Sequence, residues 1–130
     1  MKPPQDYCDL KQSQRLKALG FNELCHTFYN RNLSFITNAD YENHNSNEKR
    51  ISAPTMALAS SWLRKNKRVE VCVIPLFLGG YNLIVYPKDE FGCLDLADRI
   101  LINQTFQDYD KAHYCALNAA LDYVEQTQNS

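Results

Sequence analysis

The residues of this chain that could carry out chemistry are few and widely spaced. Its five cysteines and three histidines offer thiols and imidazoles, which are the usual ligands of zinc. His113 and Cys115 are two positions apart on a predicted helix, and Cys25 and His26 are neighbours on a predicted strand. Both spacings place the two side chains on different faces, so neither pair can share a metal ion or act as thiol and base. We predict no metal, no cofactor and no catalytic residue.

Acidic residues between positions 89 and 98 form a second candidate group: Asp89, Glu90, Asp95 and Asp98. Such carboxylates could hold a divalent cation or move a proton. No base or nucleophile accompanies them, so a solvated linker is the favoured interpretation. The chain also lacks a phosphate-binding loop, a dinucleotide fingerprint and a nucleophile elbow. We therefore predict that the protein is not an enzyme.

The best candidate for nucleic-acid contact is a basic run at the end of the second predicted helix: Arg64, Lys65, Lys67 and Arg68. Four cations could contact phosphates, but the same charges complement the negative end of the helix dipole without any partner. The formal net charge of the whole chain, −1, gives no support for nucleic acid. Nucleic-acid binding is therefore kept as the alternative function.

Charge is unevenly distributed along the chain. Residues 1–68 contain eleven Lys or Arg and six Asp or Glu, whereas residues 69–130 contain three and nine. This difference in charge could give the surface a dipole that orients a partner. Alternatively, the two halves of the chain could attract each other within one small fold. The second interpretation is favoured because surfaces of mixed charge are the norm.

Tyrosine is the most informative aromatic residue, with eight copies. Tyrosine is enriched at protein interfaces, where one end of the ring is apolar and the other is wet. The candidate interface residues lie at or near predicted strands and in a polar loop: Tyr29, Tyr41, Tyr81 and Tyr86. They predict binding to another protein, or to a second copy of the chain, through an exposed sheet edge or face.

Length and composition are those of one folded domain spanning residues 1–130, with 45% hydrophobic and 22% charged residues. We expect residues 1–8 to be flexible, residues 38–50 to form a long polar loop of poor order, and residues 126–130 to form a tail. No segment is apolar enough to be a transmembrane helix or a secretion signal. The odd number of scattered cysteines predicts reduced thiols and a cytoplasmic location, with no membrane partner.

Local patterns predict five elements in the order helix, hairpin, helix, hairpin, helix. The first helix covers about residues 9–19, with Asp9 as its N-cap and Gly20 at the left-handed position that ends it. The second helix begins after Ser52, its predicted cap, and ends near residue 66, whereas the third runs from Asp108 to about residue 125. The hairpins cover residues 24–29 with 33–37, and residues 69–74 with 81–86.

Residues 87–105 fit either a further short strand or a helical turn. Strands joined by short turns pair antiparallel, so the predicted class is α+β. The predicted architecture is a four-stranded, mainly antiparallel sheet with the helices packed on one face.

Four groups of residues also resemble a known family. They are residues 16–25, residues 51–55, residues 62–64 and residues 109–112. The most specific pieces are the helix end from Leu16 to Phe21 and the helix start Ser52–Ala53–Pro54. The order of the four groups is similar to that of small uncharacterised proteins of Bacteroides-type gut bacteria and of their phages and mobile elements, over about residues 14–124. The resemblance implies an accessory or host-interaction role and no catalytic residue. From residues and resemblance together, we predict a small non-enzymatic interaction module that binds a protein partner.

Overall fold

The computed structural model describes residues 3–128, which divide into two compact units, one up to Ala59 and one from Ser60 onward. The first unit contains helix α1 (Leu10–Ala18), strands β1 (Phe28–Tyr29), β2 (Phe35–Ile36) and β3 (Ile51–Ser52), and a short 3₁₀ helix (His44–Ser46). The boundary falls within helix α2 (Met56–Asn66). The second unit continues with β4 (Val69–Pro75), β5 (Tyr81–Pro87), β6 (Ile100–Phe106) and α3 (Tyr109–Gln128). The predicted flexible segment 1–8 and tail 126–130 lie in part outside the described residues.

The α+β class is confirmed, but the prediction of a single four-stranded sheet is wrong. Each unit has its own antiparallel sheet of three strands, in the orders β2-β1-β3 and β4-β5-β6. Each predicted hairpin is present, although the first is reduced to two residues per strand. Each hairpin also pairs with a third strand from the segment that follows it, β3 in one case and β6 in the other. The undecided segment 87–105 therefore holds a strand at its end.

Helix α1 has both of its predicted ends. The Asp9 carboxylate accepts from the Gln12 amide at 2.8 Å, and the Gln12 side chain accepts from the Asp9 amide at 3.2 Å. At the other end, Gly20 has φ +98°, and the Phe21 amide donates to the Leu16 carbonyl at 3.0 Å. This is the Schellman arrangement, which satisfies carbonyls that the last helical turn would leave unpaired.

The predicted N-cap of helix α2 is wrong by three residues. Ser52 lies in β3, where it pairs with Phe28, and the next amide, that of Ala53, donates to the Thr27 carbonyl at 3.1 Å. The sequence predicts that Ser52 and Ala53 start helix α2, but their backbone groups pair with β1 and with Thr27 instead. The Thr55 hydroxyl instead accepts from the Leu58 amide at 3.1 Å, which is the bond that an N-cap makes to the third helical residue.

Residues 38–50 form the predicted polar loop in the first unit, but the expectation of poor order is wrong, because hydrogen bonds hold the loop in place. The Cys25 amide donates to the Glu42 carbonyl at 3.0 Å, which makes an isolated bridge at its start. The buried His44 imidazole lies 2.9 Å from the Cys25 carbonyl and stacks on the Phe28 ring. The Asn45 side chain donates to the Phe21 carbonyl and accepts from the Ser52 amide. Polar side chains therefore anchor a segment that has almost no apolar residue to bury.

The second unit is a two-layer structure, in which α3 lies on one face of the β4-β5-β6 sheet. Side chains alternate along a strand, so Leu83 faces the helix and is buried against Ala112 and Ala116. Val71 and Val73 of β4 and Ile102 of β6 join the same layer. The alanines of α3 allow the helix to approach the sheet closely, because they carry no side chain beyond Cβ.

Candidate functional site

The basic run lies at the C-terminal end of α2 and in the two residues before β4. Arg64 Nε donates to Glu70 at 2.7 Å, and Lys88 lies 3.3 Å from the same carboxylate. The Lys67 ammonium lies 5.7 Å from the centre of the Trp62 ring. Arg64 and Lys67 therefore have partners within their own unit, whereas Lys65 and Arg68 are exposed. The structure does not group the four cations around a common groove.

The four candidate tyrosines occupy different environments. Tyr29 is 3% exposed and packs against Phe35 in the core of the first unit, so its ring contributes to folding rather than to an exposed interface. Burial raises the pKa of its hydroxyl to about 12. Tyr41 is 59% exposed in the polar loop. Tyr81 and Tyr86 are half-buried at opposite ends of β5.

The tip of the β4–β5 hairpin carries two large apolar side chains that are exposed to solvent. Phe77 and Leu78 are 102% and 94% exposed. The tip itself is ordered, because the Leu76 amide donates to the Gly80 carbonyl at 2.9 Å and the Gly79 amide donates to the Leu76 carbonyl at 3.0 Å. A well-formed turn thus presents two adjacent large apolar side chains fully to solvent.

The sheet face opposite α3 also carries apolar residues. Cys72, Ile84 and Leu101 are direct neighbours in the registers of β4 with β5 and of β5 with β6. They alternate with the residues that pack on the helix, so they form a row on the outer face. Leu101 is exposed, and Cys72 and Ile84 are half-buried. Ile74, beside this row on β4, is exposed as well.

The loop from Lys88 to Arg99 adds further exposed apolar residues at the end of the sheet opposite the hairpin tip: Phe91, Leu94 and Leu96. Its acidic residues shape the turns. Asp89 accepts from the amides of Phe91 and Cys93, each at 2.9 Å, and Asp95 accepts from the Ala97 amide at 3.1 Å. Among the described residues there is no cluster of three His, Cys, Asp or Glu side chains that could hold a metal ion. We call the tip, the outer row and these loop residues together the apolar surface.

Two buried polar groups resemble catalytic residues by type but are closed to solvent. Ser60 Oγ lies 2.8 Å from His113 Nε2, and the two residues are only 5% and 8% exposed. Burial lowers the pKa of His113, and the nearby Asp110 carboxylate opposes that shift. A substrate cannot reach this pair without opening the interface between α2 and α3. The contact therefore joins the two helices.

The cysteines are free thiols of low reactivity where they are buried. Burial raises the pKa of Cys25 to about 11, and it raises the pKa of Cys8 further. The Cys72 pKa is raised too, mainly by burial and then by the Glu70 carboxylate. Because the thiolate is the nucleophile, these three side chains are poor nucleophiles at neutral pH.

Comparison of the chain with known protein families, with curated proteins and with solved structures finds no match. Within residues 3–128, no helix has the length and hydropathy needed to cross a bilayer.

The sequence patterns used above did not predict the apolar surface, although the composition of one turn indicates part of it. Leu76, Phe77 and Leu78 lie between Pro75 and Gly79, at the turn of the most regular predicted hairpin. A turn is normally polar, since its side chains face water. Three apolar residues at such a position predict an exposed apolar tip.

Proposed function

We propose that the protein is a small, non-enzymatic interaction module that binds a protein partner through the apolar surface of its second unit. The observation that carries the proposal is the full exposure of Phe77 and Leu78 on an ordered hairpin tip. Exposed apolar patches beyond the ordinary size mark interaction sites in soluble proteins. A few residues at such sites contribute most of the binding free energy, and aromatic residues are enriched among interface residues.

Charge supports a protein partner over a nucleic acid. The loop that contributes Phe91, Leu94 and Leu96 also carries Asp89, Glu90 and Asp98, which are all exposed. Negative charge beside the apolar residues repels phosphates and anionic lipid headgroups. In the basic run, Arg64 is already paired with Glu70. An apolar surface rimmed by carboxylates is suited to a protein with an apolar groove and basic residues around it.

A cytoplasmic location is part of the proposal and is supported by the five free cysteines. The resemblance to proteins of Bacteroides-type bacteria, phages and mobile elements supports an accessory or host-interaction role. A second copy of the chain is the other partner that this surface could take.

The test is an affinity pull-down from the source organism with three baits: the natural chain, the double variant Phe77→Asp/Leu78→Asp, and Leu33→Asp. Leu33 is an exposed leucine of the first unit with φ +63°, a conformation that aspartate tolerates, so it is a matched control. We expect a protein retained by the natural chain and by Leu33→Asp, after nuclease and at high salt, and lost with the tip variant. Binding should then be reproduced with the purified partner.

Three outcomes would contradict the proposal or redirect it. Capture of the same protein by the tip variant would exclude the apolar surface as the binding site. A yield that depends on nuclease and falls steeply with salt would favour nucleic acid and the run from Arg64 to Arg68. Sedimentation of the purified chain as a dimer that the tip variant breaks would identify a second copy as the partner.

A further inference from the structure

A pocket of about 170 Å³ lies in the first unit, whereas the apolar surface on which the proposed function rests belongs to the second unit. It is bounded by the segment 24–27 on one side and by Pro54, Thr55 and Leu58 on the other, with Tyr7 and Tyr41 completing the wall. A cavity of about 150 Å³ is large enough for one benzene ring. The pocket therefore has room for a single six-membered ring.

The walls are suited to a planar apolar ring. Tyr7, Leu24, Tyr41 and Leu58 give the pocket mainly carbon surface. Tyr7 is fixed by an edge contact with Phe35, whose ring centre lies 5.6 Å away. The Tyr41 ring lies 4.6 Å from the His26 imidazole at an interplanar angle of 30°. Two of the aromatic walls are thus held in place before any ligand arrives.

The His26 imidazole borders this pocket and is exposed to solvent, and one of its two ring nitrogens is a hydrogen-bond acceptor left free by the described residues. Its Nδ1 lies 3.1 Å from the Ala39 carbonyl, and a carbonyl can only accept, so Nδ1 carries the proton. In the neutral ring Nε2 is then an acceptor. Ala39 does not line the pocket, and Nε2 has no hydrogen-bond partner among residues 3–128. The reciprocal bond from the Ala39 amide to the His26 carbonyl, 2.9 Å, fixes the backbone beneath the ring.

The polar groups deeper in the wall are already satisfied. Thr27 Oγ1 donates to the Ala53 carbonyl, and Thr55 Oγ1 accepts from the Leu58 amide. The Cys25 thiol donates to the Glu23 carbonyl, with a sulphur–oxygen distance of 3.8 Å, and burial raises its pKa to about 11. The pocket therefore offers no nucleophile, and it is built for binding rather than for reaction.

We propose that this pocket binds one planar six-membered ring that carries an O–H or N–H donor, with the donor directed to His26 Nε2. A tyrosine side chain of a partner and a small free phenol share this chemistry. The pocket is lined only by residues of the first unit, so Phe77→Asp/Leu78→Asp in the second unit should leave ring binding unchanged.

The test compares three probes of nearly equal shape by amide chemical shifts: p-cresol, 4-methylanisole and toluene. We expect each to shift the amides of residues 24–27 and 55–58, and p-cresol to bind about tenfold more tightly than the other two, since one hydrogen bond is worth roughly 1 to 1.5 kcal/mol. His26→Phe keeps a ring at the position and should remove the advantage of p-cresol. The comparison of probes in the natural chain does not depend on how that variant folds.

A fourth probe, N-acetyl-tyrosinamide, distinguishes the two sources of the ring. Binding at least as tight as that of p-cresol identifies a tyrosine of a partner, whereas clearly weaker binding identifies a free small molecule. Equal affinities for p-cresol and toluene, or the absence of shifts around the pocket with every probe, would overturn the proposal.

Discussion

The hydroxyl oxygen of Ser60 and Nε2 of His113 lie 2.8 Å apart in the interior of the second unit, one on α2 and the other on α3. Because both residues are buried, neither has water as an alternative partner. The Ser60 hydroxyl and His113 Nε2 pair with each other, and burial lowers the pKa of the imidazole because it disfavours the charged form. The contact is therefore a pH-sensitive link between two helices.

Stability should fall when the solution is acidified through the titration of His113. Its folded pKa lies below the ordinary 6.5, so the unfolded chain binds the proton first. The contribution is fully present above pH 6.5 and is lost as the pH falls from there toward the folded pKa. Urea unfolding at pH 8 and at pH 5, followed by circular dichroism, measures the difference. His113→Gln, which cannot titrate, should reduce it, and an unchanged difference would contradict this assignment.

Removing the hydroxyl tests the other half of the contact. Ser60→Ala leaves the buried imidazole without this partner, and we expect a loss of about 1 to 3 kcal/mol in the free energy of unfolding at pH 8. The neighbouring change Ser61→Ala is the matched control, since Ser61 is half-buried on the same helix. A loss of equal size in both variants would show that helix packing, and not the bond to His113, is responsible.

The two glycines of the β4–β5 turn should respond differently to alanine. Gly79 and Gly80 both have positive φ, +101° and +85°, so each substitution strains the backbone by roughly 1 to 2 kcal/mol. A Cβ at Gly80 would also lie 3.0 Å from the Phe106 carbonyl oxygen, whereas one at Gly79 meets nothing within 4 Å. Gly80→Ala should therefore destabilise the protein by about 1 kcal/mol more than Gly79→Ala. Equal midpoints in denaturant for the two variants would contradict the close approach of the turn to the end of β6.

The polar loop should depend on a single amide side chain. Asn45 donates to the Phe21 carbonyl at 2.9 Å and accepts from the Ser52 amide at 2.8 Å. Asn45→Ala removes both bonds, and we expect a cost of about 2 kcal/mol and faster hydrogen exchange at Ser52. Asn45→Asp keeps only the acceptor, so exchange at Ser52 should stay slow. If both variants exchange alike, the side chain does not fix the loop to β3.

The cysteines should react in an order set by burial. Cys93 is exposed, whereas Cys8 and Cys25 are buried with raised pKa values. The shift of Cys25 from 9.0 to about 11 lowers its thiolate fraction about a hundredfold at neutral pH, before access is considered. Alkylation at pH 8, read by mass spectrometry, should modify Cys93 first and Cys8 only on unfolding. Cys93→Ser should remove the fast phase, and early modification of Cys8 would contradict the packing of the first unit.

The sequence predicts those parts of the fold whose causes are local. Asp9 and Gly20 mark the ends of α1 because a cap and a left-handed residue act within one helical turn. The β4–β5 hairpin is predicted because six residues on each side, 69–74 and 81–86, show strand character, and the structure extends each strand by one residue. Strand β3 is two residues long, too short for any periodicity, and Ser52 fits a helix cap equally well. Only the pairing with β1 decides between those two roles.

The candidate sites also divide into features that the sequence predicts and features that depend on tertiary contacts. The distribution of cations and tyrosines can be read from the sequence, but the burial of Tyr29 and the pairing of Arg64 with Glu70 depend on tertiary contacts. The pocket walls come from segments about 30 residues apart in the chain, so no local pattern brings His26 near Leu58. The polar loop contributes Tyr41 to that pocket only because His44 and Asn45 fix its course.

Strand β6 forms an open edge of its sheet, and it contains neither a charged residue nor a proline. Proteins usually protect such an edge with lysine, proline or a bulge, since its unpaired amides and carbonyls are a template for another strand. In the described part of the chain, the pairing of β5 with β6 has one irregularity of this protective kind, a register shift between Tyr81 and Leu83. We therefore expect concentrated samples to be prone to strand pairing between copies and to slow fibrillar aggregation on storage.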